Sequence, residues 1–67
     1  MAWQKVYEVQ QQVRAEIVKG VLMEHEIDSV IVPKKDSAYQ FGHFDLCVQQ
    51  DDVLRAIKII EEEISFG

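Results

Sequence analysis

The chain has 67 residues, with 12 acidic against 7 basic side chains and a net charge of −5. A chain this short holds one domain and buries only about 60% of the surface its unfolded form exposes, so its core is marginal and self-association is the available source of extra burial. The acidic balance opposes general attraction to nucleic acid or to an anionic membrane, and a single cysteine, Cys47, excludes an internal disulfide.

Residues 3–9 are β-prone, with Trp3, Tyr7 and Val9 on one parity and Val6 on the other, which predicts a first strand. The glutamine run at 10–12 offers no good helix cap. Residues 13–26 then read as a helix, with Ala15, Val18 and Leu22 on a stripe and Ile17 and Val21 beside it. So broad an arc predicts a helix that meets both a sheet and another helix. Arg14 falls inside the arc, but in the first turn its stem can lie on apolar surface while the guanidinium reaches water. Gly20 costs roughly 1 kcal/mol against alanine, and close packing against a neighbour is the expected compensation. His25, near the helix end, suits the macrodipole when protonated.

Residues 27–32 form a second β-like run that Pro33 is expected to end, since proline cannot donate to a ladder. A polar loop, 33–43, follows. Phe44, Leu46 and Val48 then alternate with His43, Asp45 and Cys47, the period of a third strand with one buried face. Asp51 and Asp52 are placed to cap a second helix, along which Val53, Ala56, Ile57, Ile60 and Ile64 recur at spacings of three and four. Its polar side ends in Glu61, Glu62 and Glu63, a solvated acidic run, and residues 65–67 are too few for another strand. The order β-α-β-β-α predicts an α+β fold, a ferredoxin-like two-layer sandwich lacking its last strand. Its antiparallel sheet would run 1-3-2, with strand one at an exposed edge.

The 33–43 loop is the one stretch not devoted to packing, and loops on a rigid scaffold concentrate binding groups. Lys34 and Lys35 could neutralise an anion, Ser37 could donate a hydrogen bond, and Tyr39 or Phe41 could stack on a base. The same residues also make an ordinary connector. Asp36 and Ser37 bond their own backbone in turns, Gly42 allows a positive φ, and the aromatic rings can fold back on the sheet. His43, Asp45 and Cys47 share one face of strand three, but steps of roughly 7 Å along a strand set them too far apart for one ion without other ligands. No metal and no cofactor is expected.

A sheet with helices on one side leaves the other open, and large side chains there favour pairing with a second copy. Trp3 and Tyr7 share a parity that can lie on that face, and Lys5 sits on the edge strand, so these three residues mark a candidate homodimer interface; a trimer fits the sequence equally. No nucleophile–base pair, signature carboxylate pair or glycine-rich phosphate loop is present, and Cys47 between Leu46 and Val48 reads as inert, so no enzymatic activity is expected. No apolar run approaches membrane-spanning length and residues 1–8 lack the apolar core of a secretory signal, which predicts a cytoplasmic protein.

Residues 15–22 (AEIVKGVL), Ile27, residues 32–39 (VPKKDSAY), residues 46–48 (LCV) and Asp51-Asp52 together resemble the prokaryotic signal-transducing proteins. These are a small bacterial domain family of unknown function in the PII-like (GlnB-like) group. The likeness covers nearly the whole chain, and its most specific piece is the Lys-Lys-Asp-Ser-Ala-Tyr run. It implies a ferredoxin-like sandwich in which the 33–43 loop stands where PII proteins carry a partner-contacting loop. The loop here is far shorter, and no counterpart of the PII nucleotide-binding segments follows. The resemblance thus implies a regulatory or adaptor module that binds a protein partner or small anionic ligand through Lys34, Lys35, Asp36, Ser37 and Tyr39. The alternative is an interaction domain acting through its sheet edge and open face.

Overall fold

A computed structural model describes residues 2–36 and 41–64. The chain runs β1 (Trp3–Val9), α1 (Gln12–Glu24), β2 (Ser29–Asp36), β3 (Phe41–Gln49), a 3-10 turn (Gln50–Asp52) and α2 (Val53–Glu63). The three strands form an antiparallel sheet ordered β1-β3-β2, so the expected fold and strand order hold and both β1 and β2 are edges. Two helices cover one face, and the Cα extents of 35 × 29 × 14 Å are those of a thin two-layer slab.

The core lies between the layers. Val9, Leu46 and Val48 from the sheet meet Ala15, Val18, Leu22, Ala56 and Ile60 from the helices, with Ile27 closing the end. Val53, Ile59 and Ile64 pack at its rim, whereas Ile57 is only half-buried. On α1 the buried stripe is narrower than its composition suggested, because Val13 and Ile17 point to solvent. The helix nevertheless touches all three strands and α2. Gly20 is exposed, and a Cβ built there meets nothing within 4 Å, so close packing is not what it serves.

The helix ends follow backbone rather than side-chain capping. Gln11 occupies the N-cap of α1 without a side-chain bond. Asp52 precedes α2 but does not cap it either; its carboxylate lies 3.5 Å from Arg55 instead. At the C-terminus of α1, Glu26 takes a left-handed conformation (φ 63°). Glu26 N–H then donates to Met23 O and Ile27 N–H to Leu22 O, which satisfies the last carbonyls and turns the chain into β2. The acidic end of α2 is not merely solvated: Glu63 meets His25 Nε2 at 2.5 Å, and Arg55 donates to the His25 carbonyl at 3.0 Å, tying the two helices together.

Two strand expectations are corrected. Pro33 does not end β2, which continues through it to Asp36. An edge strand accommodates proline because half of its N–H groups point away from the ladder. In addition, β1 does not alternate regularly. Lys5 pairs with Cys47 and Tyr7 with Leu46, leaving Val6 as an extra residue in a β-bulge. Val6 and Tyr7 both pack against the core as a result, and Tyr7 leaves the parity it shared with Trp3.

Candidate functional site

The bulge determines what the open face of the sheet carries. In a regular strand Lys5 and Glu8 would point to opposite sides; with Val6 inserted, both stand on the face away from the helices, opposite Cys47 and Asp45 respectively. On β3 the same face carries His43, Asp45, Cys47 and Gln49, and β2 adds Val30, Val32 and Lys34 by register. Trp3 pairs with Gln49 and is 46% exposed. Trp3 and Lys5 therefore stand on the open face, while Tyr7 stands on the covered one.

Four of these side chains form a charged cluster. The Lys5 ammonium donates to Glu8 Oε1 at 2.6 Å and lies 3.4 Å from Asp45 Oδ1. His43 Nε2 lies 3.4 Å from the same Asp45 oxygen and 3.9 Å from Glu8 Oε1. His43 and Asp45 converge at their side-chain ends, Glu8 joins them from the neighbouring strand as the additional group that the spacing along β3 called for, and Cys47 is not among the three. Asp45 is 8% exposed, and among the described residues its Oδ1 has no hydrogen-bond donor. The hydrogen bond from Lys5 holds the Glu8 carboxyl below its usual range. Reciprocally, Glu8 and then Asp45 raise the Lys5 ammonium against the opposing effect of burial. Cys47, beside this cluster, has its thiol pushed up by burial, with the charge on Asp45 adding to the effect.

The 33–43 segment is largely a β-hairpin end. Residues 33–36 and 41–43 are strand, and Ser37 and Tyr39, together with the side chains of Asp36 and Phe41, lie outside the described residues. Lys34 and Lys35 are exposed, and neither has an ion-pair partner among the described residues. As neighbours in a strand they point to opposite faces, Lys34 across from His43 and Lys35 across from Gly42. Gly42 has no positive φ. Its contribution is a close approach instead, since a Cβ there would lie 3.0 Å from the Lys34 carbonyl, tighter than an ordinary van der Waals contact.

The role of Glu8 was not visible in the sequence. The signal for it was the adjacent apolar pair Val6-Tyr7, which breaks the period of two inside an otherwise alternating strand. No helix among the described residues is long and apolar enough to cross a membrane.

Comparison with known families places the whole of this architecture in one group. The family model described as putative prokaryotic signal transducing protein matches residues 3–64, and the chain belongs to that family. No curated protein and no solved structure matched.

Proposed function

We propose that this member of the signal transducing family is a non-catalytic cytoplasmic module that binds a protein partner through the end of the β2–β3 hairpin, with Lys34 and Lys35 as its cationic contacts. The observation that carries this reading is the placement of those two lysines. In a chain of net charge −5 they are adjacent, exposed and free of ion-pair partners among the described residues, on strand rather than on slack loop. Because they diverge to opposite faces, they suit an acidic protein surface that reaches around the hairpin end better than a compact anion held by both at once. A small anionic ligand at the same place is the narrower form of this reading, and the position matches the one that the PII-like resemblance gives to partner contact.

A photo-crosslinking residue at position 35 tests the reading in cells. It should capture a partner, and Lys34→Glu/Lys35→Glu should abolish capture while leaving the melting temperature within a few degrees. A double variant that unfolds, or capture that survives charge reversal, would refute it. A panel of nucleotides and phosphorylated metabolites separates the two forms. A small ligand at 100 times its Kd would add about 2.7 kcal/mol of stability, whereas a flat panel favours the protein partner.

A second reading rests on Trp3. A half-exposed tryptophan on an uncovered sheet face that also carries Val30 and Val32 favours a homodimer joined through that face.

A further inference from the structure

We propose that Glu8, His43 and Asp45 form a binding site for a first-row divalent cation of the zinc class, in which the Lys5 ammonium is the resident substitute for the metal. The ligand atoms of the three residues lie within 4.8 Å of one another. Two carboxylates and an imidazole are a donor set that zinc accepts, with a further coordination position open to solvent. Four ligands of a tetrahedral zinc at about 2.0–2.1 Å stand about 3.3 Å apart. The distances of 3.4 Å from His43 Nε2 to Asp45 and 3.9 Å to Glu8 need little adjustment to reach that spacing.

A second observation is independent of the spacing. Asp45 is nine-tenths buried, and its Oδ1 receives no hydrogen bond from a described residue. A buried carboxylate oxygen that has only long ion pairs and no short hydrogen bond is incompletely compensated. Lys5 and His43 each approach it only to 3.4 Å, and Lys5 does so while donating to Glu8 at 2.6 Å. The ammonium therefore sits between the two carboxylates on the side that a cation would occupy. Its stem enters from an edge strand and is half-exposed, so it can swing out to water when a metal enters. Lys34, across the ladder from His43, adds a positive charge that opposes metal entry without contributing a donor. This inference does not rest on the hairpin reading, because none of the three ligands is a hairpin lysine.

The test is calorimetric titration of the full chain with Zn2+, paired with the visible spectrum of the Co2+ form as a readout of ligand geometry. The wild type should bind one equivalent. Lys5→Met, which removes the competing ammonium, should tighten binding by roughly tenfold. Glu8→Gln and His43→Asn should each weaken it by at least about tenfold and change the Co2+ spectrum. Glu8 is exposed, so Glu8→Gln leaves the fold intact, and far-ultraviolet circular dichroism checks each variant. His25→Asn and Cys47→Ser serve as controls for the other imidazole and the thiol, and both should leave affinity unchanged. Failure of both wild type and Lys5→Met to bind at millimolar Zn2+ would overturn the site. So would binding that survives both Glu8→Gln and His43→Asn, whatever the two controls do.

Discussion

Cys47 shows how one side chain takes its chemistry from its neighbours. It sits on the open face but is buried between Lys5 on β1 and Val30 on β2, its cross-strand partners. Burial and the charge on Asp45 both disfavour the thiolate, and Lys34 and Lys5 only partly offset them. The native thiol should therefore react with iodoacetamide at pH 8 at least roughly tenfold more slowly than the unfolded chain; equal rates would show that the face opens readily. The sign of the pH effect follows. The folded thiol holds its proton to higher pH than the unfolded one, so stability is unaffected below the unfolded value of 9.0 and falls as pH rises above it. A Cys47→Ser variant should lose that alkaline slope.

At the scale of elements, α1 carries a correctable weakness. Gly20 lies in the helix interior, exposed, with ordinary φ and open space where a side chain would go. Gly20→Ala should stabilise the protein by about 1 kcal/mol, read as a rise of roughly 4–8 °C in melting temperature for a domain of this size; no change would mean that the helix is frayed there. The elements themselves were legible because their apolar periods are strong: 3.6 along residues 53–64 and 2 along 43–48. Their joins were not. Pro33 reads as a stop unless β2 is known to be an edge, and edges are decided by strand order rather than by local sequence. The bulge at Val6 was hidden for a related reason. A seven-residue strand tolerates one extra residue only because β3 re-registers against it, a non-local event. Without the bulge, Glu8 could not be assigned to a face, so the charged cluster was only half visible, through His43 and Asp45. Lys34 and Lys35 were found because a basic pair stands out in an acidic chain, but their divergence needed the ladder.

The whole molecule is a slab with one finished side. Its helices seal a core built from small and medium side chains, while the other side of the sheet shows a tryptophan, β-branched residues and a charge network to solvent. If that side joins two copies, Trp3→Glu should convert a dimer into a monomer in sedimentation velocity at micromolar concentration. A proline at Lys5 should do the same only if the β1 edge itself pairs. A wild type that sediments as a monomer would remove the homodimer reading. The bulge has a consequence for how chain length can vary. Pairing partners on either side of Val6 are already in step, Lys5 with Cys47 and Tyr7 with Leu46. A chain shortened by that one residue would keep every other side chain on its present side of the sheet, losing only the packing of Val6 itself. Position 6 is thus a place inside a strand where a deletion acts as it would in a loop, so two sequences out of frame there can still describe the same surface.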